Sequence, residues 1–199
     1  MDSFCDYILS EKDFIKKLEI VYYLQKRENI FFDTSVVFKA KLAEMFIDTM
    51  NLNVDKNLVL TAMLLYACKK TKDATDINKV RSYTIEGSKY LETLGFSKRF
   101  CKICREANRY NDDGNDVREI ESDILELIDI FGGLVLDRPE RKGFPIDEAI
   151  VLAEHRNLKG YENRFMELFK EFIYIKEGVR VWVLITLQIM ILMGIFRNW

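Results

Sequence analysis

The sequence predicts an all-α fold for this chain of 199 residues. Apolar residues recur at three- and four-residue spacing in several segments, which is typical of amphipathic helices. No run of strict apolar–polar alternation is bounded by hairpin turns, so strands are not indicated. Both prolines, Pro139 and Pro145, lie in one break between segments, where they cannot interrupt a helix. The chain is 49% hydrophobic, which favours a folded core over disorder.

Short polar residues mark the predicted helix starts, because their side chains can accept hydrogen bonds from backbone N–H groups that have no partner in the first turn. These residues are Ser10 with Asp13 three positions on, Asp33 with Thr34, and Asp55. The predicted helical segments include 36–50, 58–67, 117–135 and 158–175. The last segment places five large apolar residues along one side, namely Tyr161, Phe165, Leu168, Phe169 and Phe172. Breaks are predicted at 51–54, 72–75, Gly95, 112–115 and 138–145.

Charge and cysteine content narrow the classes of function. The formal net charge is −2 with both signs interspersed, which gives no reason to expect nucleic-acid binding. The N-terminus lacks a basic region followed by an apolar run, so no secretory signal is predicted. The four cysteines are then expected to be reduced in the cytoplasm. Cys101 and Cys104 are three residues apart, and buried helix cysteines are favoured over a zinc or redox pair.

The C-terminal run 181–196 contains sixteen residues without a charge. As a helix it would be about 24 Å long, slightly short of the ~30 Å hydrocarbon core of a bilayer. Trp182 lies near one end, and Arg180 could reach the membrane surface. The run is therefore predicted to anchor the protein to the inner face of the cell membrane. The competing interpretation is a core or dimer-interface helix, which Thr186 and Gln188 favour.

The stretch 128–150 reads IDIFGGLVLDRPERKGFPIDEAI and resembles an HD-GYP phosphohydrolase domain. In that family a late helix carries Asp-x-Phe-Asp-Ala-Leu, followed by Asp-Arg-Pro-Tyr-Arg-Lys and then Glu-Ala at the next helix. The resemblance extends over roughly residues 33–175 and implies an HD-domain-like helical bundle. It is most specific at 128–150.

The resemblance also implies that the metal ligands of this family have been lost. The His-Asp pair falls on Tyr66 and Ala67, and the second aspartate of the late motif falls on Gly132. Of the expected ligands only Asp129 remains. The positions corresponding to the former metal site are Phe38, Tyr66, Ala67, Tyr83, Glu106, Ala107 and Asp129. We call this set the former metal-site positions.

Counting ligands argues against family-type catalysis. Imidazole and carboxylate metal sites need several converging ligands, and the chain has one histidine, His155, which is expected to be a solvated surface residue. Carboxylates alone could hold Mg²⁺, and the candidates are Asp112, Asp113, Asp116 and Asp129. Clustered acids in a Gly/Asn-rich turn are more often turn formers. The sequence therefore predicts no catalytic residue, no bound metal and no cofactor.

The resemblance places Arg138 and Arg141 at family positions at the mouth of the active site. It places Lys70 on the lysine that ends the family's His-Asp motif. The resemblance implies that the two arginines could hold a phosphate, which guanidinium groups bind bidentately. The alternative is that 137–142 is a charged turn with a structural role.

These observations divide the chain into an N-terminal helical extension (1–32), a degenerate HD-GYP-like domain (33–178) and a C-terminal hydrophobic helix (179–199). The function favoured by the resemblance is a catalytically inactive regulatory or scaffold module in bacterial signalling, acting through a protein partner or as a homo-oligomer. A module sensing a nucleotide such as cyclic di-GMP is the alternative. An active metal-dependent phosphodiesterase is the third hypothesis.

Overall fold

The computed structural model describes residues 3–27, 32–70, 77–108, 117–138, 141–155 and 163–175. Within these ranges the chain forms nine α-helices and no strand, which confirms the predicted all-α class. The helices are α1 Phe4–Ser10, α2 Phe14–Arg27, α3 Ser35–Thr49, α4 Lys56–Leu65, α5 Ile77–Thr93, α6 Lys98–Glu106, α7 Ile120–Val135, α8 Ile146–His155 and α9 Met166–Tyr174.

The capping residues explain where several helices begin. Asp55 accepts a hydrogen bond from the Leu58 amide and caps α4, as predicted. The predicted helix start at Ser10 with Asp13 is correct for Asp13, whose carboxylate accepts from the Ile15 and Lys16 amides at 2.9 and 3.2 Å in the first turn of α2. It is wrong for Ser10, which is the last residue of α1 and whose hydroxyl donates back to the Tyr7 carbonyl. A reciprocal capping box between Ser3 and Asp6 has already started that helix. The predicted breaks 72–75 and 112–115 lie outside the described residues.

Helices α3 and α4 form the centre of the bundle. Every residue of α4 from Val59 to Leu65 is buried, and α4 packs against α3, α6, α7 and the two N-terminal helices. On α3, the fully buried Phe46 meets the rings of Phe169 and Phe172 at 5.1 and 5.4 Å between centroids. Burying one such ring stabilises the fold by roughly 1.5–3 kcal/mol. These contacts hold α9 against α3.

The apolar side predicted for the last helix is correct for its phenylalanines but not for Leu168. Phe165, Phe169 and Phe172 are buried, whereas Leu168 is 38% exposed. Position 168 lies one residue before Phe169, so it is turned by about 100° from the buried stripe. Tyr161 lies outside the described residues.

A cluster of buried charges joins the start of α7 to α6 and to the segments just before α7 and α9. The Asp123 carboxylate accepts from Arg118 at 2.5 Å and from Arg164 just before α9. The Arg99 guanidinium on α6 donates twice to Glu121, at 2.8 Å each. The buried acids Asp123 and Glu121 therefore each have a guanidinium partner, which is the condition under which buried charges are tolerated.

The four cysteines are buried free thiols. Cys101 and Cys104 lie one turn apart on α6, which agrees with the predicted buried helix cysteines. Burial raises the pKa of Cys101 to about 11 and that of Cys104 well above its ordinary value. Both thiols therefore stay protonated near neutral pH, where a protonated thiol is a poor nucleophile.

A buried lysine fastens the N-terminal helices to the bundle. Lys17 on α2 is 1% exposed, and its ammonium donates to the Ile8 carbonyl at 2.7 Å and to the Thr61 hydroxyl at 2.5 Å. It thereby links α2 to the end of α1 and to α4. Burial lowers the pKa of Lys17 to about 8, although the carboxylates of Glu11 and Asp55 act in the opposite direction.

The lowered pKa of Lys17 predicts that the stability of the fold depends on pH. The pKa of Lys17 is about 8 in the fold, against an ordinary value of 10.5, so the unfolded chain binds more protons between these limits. The contribution of Lys17 to folding therefore becomes more favourable as pH rises through this window, by about 3 kcal/mol. We expect the native protein to gain that amount of unfolding free energy relative to Lys17→Met as the pH is raised from neutral through this window. Urea titrations of both proteins at each pH measure the change. A constant difference would contradict it.

Among the described residues, no helix has the length and apolar character needed to cross a bilayer. The predicted membrane anchor 181–196 lies outside the described residues.

Candidate functional site

Asp129 on α7 lies at the centre of a polar cluster inside the apolar bundle. One carboxylate oxygen accepts from the Lys39 ammonium at 2.6 Å and from the Tyr66 hydroxyl at 2.5 Å. The other oxygen lies 3.4 Å from the Tyr83 hydroxyl. The four side chains come from α3, the end of α4, α5 and α7. We call Lys39, Tyr66, Tyr83 and Asp129 the central cluster.

Tyr66 and Asp129, two of the former metal-site positions, are joined by a hydrogen bond. Tyr83 also lies beside them, with its ring centroid 6.1 Å from that of Tyr66. Three of the former metal-site positions therefore meet at one place. Their origin in an ancestral metal site stays a prediction.

Lys39 is the member of the central cluster that the sequence interpretation missed. Its side chain is 5% exposed, and its ammonium also lies 3.1 Å from the Tyr66 hydroxyl. Its trace in the sequence is a single lysine between the apolar residues Phe38 and Ala40. A lysine in that setting does not reveal a carboxylate partner that lies far away in the chain.

Gly132 provides the space that Lys39 occupies. A Cβ atom at Gly132 would lie 2.8 Å from Lys39 Cγ and 3.2 Å from Cε, closer than side chains normally pack. Position 132 is one turn after Asp129 on α7, so the glycine lets the lysine stem pass α7 and reach the carboxylate. Gly132, where the resemblance expects a second aspartate, thus leaves room for the cation.

The charges of the central cluster are set by this pairing. Burial by itself would raise the pKa of Asp129, but the Lys39 ammonium and the Tyr66 hydroxyl hold it below its ordinary value. Burial raises the pKa of Tyr66 and of Tyr83 well above the ordinary value, and the negative Asp129 adds to the effect. The carboxylate is therefore ionised and both phenols are protonated near neutral pH.

A second ion pair lies beside the central cluster. The Lys70 ammonium donates to the Asp33 carboxylate at 2.5 Å, and Asp33 also accepts from the Ser35 amide at 3.0 Å. Burial raises the pKa of Asp33, but the positive charges of Lys39 and Lys70 outweigh it, so the net shift is downward. Two carboxylates are thus balanced by two ammonium groups.

Arg141, predicted to hold phosphate, binds the end of α7 instead of pointing freely outward. Its guanidinium donates to the Gly133 carbonyl at 2.6 Å and to the Leu134 carbonyl at 3.1 Å. Its charged carbon also lies 4.5 Å from the centroid of the Phe144 ring. These carbonyls are among the last acceptors of the helix, which a cation stabilises.

Arg138 lies in the same turn and is exposed. Its backbone pairs with that of Arg141 through hydrogen bonds of 2.8 and 3.2 Å. Its Nη2 atom lies 2.7 Å from the position that a Cβ at Gly133 would take. The Arg138 charge also opposes the rise in the pKa of Tyr83, so this arginine approaches the central cluster.

The other predicted positions are distributed more widely. Phe38, Ala67 and Ala107 are buried core residues. Glu106 is buried too, but its carboxylate accepts from the Ser122 hydroxyl at 2.7 Å, seven residues before Asp129 on α7. That offset is about 10 Å along the helix, so Glu106 belongs to the charge cluster at the start of α7. His155 is exposed, as predicted, and Asp112, Asp113 and Asp116 lie outside the described residues.

No group of three or more His, Cys, Asp or Glu side chains in the described part of the chain is arranged to hold a metal ion. The chain matches no protein-family description, no curated protein and no solved structure. The fold and its centre define an all-α bundle with a charge-balanced lysine–aspartate–tyrosine cluster, in which Lys39, Tyr66 and Tyr83 are buried and the Asp129 side chain is 21% exposed.

Proposed function

We propose that this chain is a catalytically inactive module of the HD-GYP type that works as a regulatory or scaffold protein through contacts with partners. One observation carries the proposal: the Lys39 ammonium lies 2.6 Å from Asp129, the one aspartate that the resemblance retains as a ligand. The carboxylate oxygens that a metal would need are already accepting hydrogen bonds from Lys39, Tyr66 and Tyr83.

The chemistry of these donors explains why hydrolysis is not expected. Activation of water for phosphodiester hydrolysis needs a bound metal or a general base. The lowered pKa of Asp129 makes it a weak base, and both tyrosines are held protonated. Displacing a buried ammonium to admit a metal would also leave that charge without a partner, which costs several kcal/mol.

We therefore expect the purified protein to contain no stoichiometric iron or manganese and to leave cyclic di-GMP uncleaved. Metal content measured by plasma mass spectrometry and product analysis by chromatography check this expectation. Turnover that is lost in Asp129→Asn, with the helical circular dichroism retained, would restore the enzyme hypothesis. Lys39→Ala is a second probe of metal binding, because it removes the cation that competes with a metal for Asp129 and leaves the carboxylate in place.

Nucleotide sensing through Arg138, Arg141 and Lys70 is the less supported alternative. Arg141 donates to the carbonyls of α7, and Lys70 donates to Asp33, so both would have to give up charged hydrogen bonds to receive a phosphate. Calorimetric titration with cyclic and linear nucleotides distinguishes this alternative from a scaffold. Saturable heat that disappears in Arg138→Ala would favour sensing.

We also propose that the module works at the inner face of the membrane, held by the run 181–196. The support is the length and uncharged character of this run, with Lys176 and Arg180 before it and Arg197 after it. We expect the full chain to sediment with membranes and a variant lacking residues 179–199 to remain in the supernatant with its helical signal. If the full chain stays in the supernatant and the truncation unfolds, the run is a core helix.

A further inference from the structure

Helices α1 and α2 leave an open groove of about 490 Å³ on the surface of the bundle. Aromatic side chains line it and are unusually accessible: Phe4 is 40% exposed, Tyr7 is 54% exposed and Tyr23 is 55% exposed. Single exposed apolar residues are common on protein surfaces, but three aromatic rings lining one groove form a patch. Interfaces are enriched in tyrosine, phenylalanine and arginine, and an arginine, Arg27, completes this lining.

The groove-lining residues of α2 form a regular stripe. Lys16, Ile20, Tyr23 and Arg27 follow one another at spacings of four, three and four, which places them on one helix face. Glu19 lies beside this stripe, four residues before Tyr23, and Arg27 lies four residues after it. Opposite charges therefore stand at equal distances on either side of the most exposed ring.

We propose that this groove is the interface of a homodimer, in which α2 packs antiparallel to α2 of a second copy about a two-fold axis at Tyr23. An antiparallel pairing centred on Tyr23 places residue 19 of one copy opposite residue 27 of the other. Glu19 then faces the partner copy's arginine, and the same pair forms again on the other side of the axis. The two tyrosine rings meet at the axis.

Other arrangements of the same helices fit less well. A parallel pairing places Glu19 against Glu19 and Arg27 against Arg27, and like charges repel. An antiparallel pairing centred between Val21 and Tyr22, one and a half residues earlier, brings Lys16 opposite Arg27. A pairing centred near Lys17 joins Lys16 to Glu19 but leaves Tyr23 outside the contact. The Tyr23-centred register is the arrangement that covers the aromatic ring and pairs opposite charges.

The dimer also gives the α1 aromatics a role. A stable interface needs roughly 800 Å² from each partner. One helix of fourteen residues is about 21 Å long and does not supply that area by its face alone. Phe4 and Tyr7 line the other wall of the groove, so they extend the contact beyond α2. The proposal does not depend on the enzymatic status of the central cluster.

A charge-swap experiment tests the interface. The full chain is kept in a mild detergent, so that the run 181–196 stays covered, and its mass is followed by sedimentation velocity over a range of concentrations. We expect a dimer for the native protein. Glu19→Arg and Arg27→Glu should each weaken dimerisation by about tenfold or more, because two pairs become repulsive in the symmetric dimer. The double variant carrying both changes should recover dimerisation.

Matched controls make the result specific to this surface. Glu171→Arg on α9 and Lys89→Glu on α5 carry the same charge changes at exposed positions elsewhere and should leave the dimer intact. In addition, Tyr23→Cys should be crosslinked to a second copy by a short bismaleimide, whereas Lys89→Cys should not. A monomeric native chain, or a dimer that the single charge reversals do not weaken, overturns the proposal. The second outcome would assign dimerisation to another surface, such as the C-terminal run.

Discussion

Replacement of Asp129 by alanine is expected to lower the free energy of unfolding by about 3 kcal/mol, at the lower end for a broken buried ion pair because the Asp129 side chain is 21% exposed. The change removes the carboxylate that holds Lys39 at 2.6 Å while the ammonium stays buried, with 5% of its side chain exposed. It also removes the acceptor of the Tyr66 hydroxyl. An uncompensated buried charge and a lost charged hydrogen bond act in the same direction. Urea unfolding followed by circular dichroism measures the loss.

Two further variants separate the ion pair from the general effect of removing a charge. Lys39→Met with Asp129→Leu removes both charges and keeps apolar volume, so it should be much less destabilised than Asp129→Ala. Asp48→Ala breaks the exposed pair with Lys56, whose side chains are 55% and 44% exposed, and should change stability by no more than about 1 kcal/mol. Equal losses in Asp129→Ala and Asp48→Ala would contradict a buried, coupled centre.

The helical pattern of the sequence predicted most of the described fold because burial and periodicity agree along these helices. Over 36–50, 58–67 and 117–135 the predicted segments coincide with α3, α4 and α7 to within a few residues. The predicted start at Ser10 with Asp13 was half correct: Asp13 caps α2, whereas Ser10 ends α1, because a polar residue near a helix end can serve either terminus. The sequence signal does not say that Ser3 and Asp6 had already capped that helix.

The centre of the bundle was predicted from motif order, and it was predicted incompletely. Among the positions that the resemblance aligned, Tyr66 and Asp129 lie within hydrogen-bond distance of each other, and Tyr83 lies beside them. Lys39 could not be inferred from spacing, since a buried lysine is rare unless a carboxylate partner comes from a distant part of the chain. That partner is 90 residues away, and the space for the lysine comes from Gly132.

In the charged turn the residue types were recognised from the sequence, but their acceptors were not. The residue types of the Arg138–Arg141 turn suit phosphate as well as helix carbonyls, so sequence alone left both roles open. The structure places the Arg141 guanidinium on the carbonyls of Gly133 and Leu134. Which acceptor a guanidinium finds depends on where the preceding helix ends, and that is a property of the fold rather than of the motif.

A leucine at Gly87 is expected to lower the free energy of unfolding by about 3 kcal/mol, at the upper end of the usual effect of overpacking. A Cβ at this position would already lie 2.9 Å from the backbone oxygen of Tyr66 and 3.5 Å from Cys68 Sγ. A backbone oxygen cannot rotate away as a side chain can, so α5 must move. Leucine is a good helix former, which excludes poor helix propensity as the cause.

The position of Gly87 gives this variant a second, local effect. Tyr83 lies one turn earlier on α5, and its hydroxyl is 3.4 Å from Asp129, so displacing α5 should weaken that contact first. Glu86→Leu is the matched control, because Glu86 is the exposed neighbour on the same helix. We expect Gly87→Leu, but not Glu86→Leu, to lose stability in urea and to change the near-ultraviolet circular dichroism of the buried tyrosines. If Gly87→Leu unfolds at the same urea midpoint as the native protein, the close approach of α5 to the end of α4 does not hold the central cluster in place.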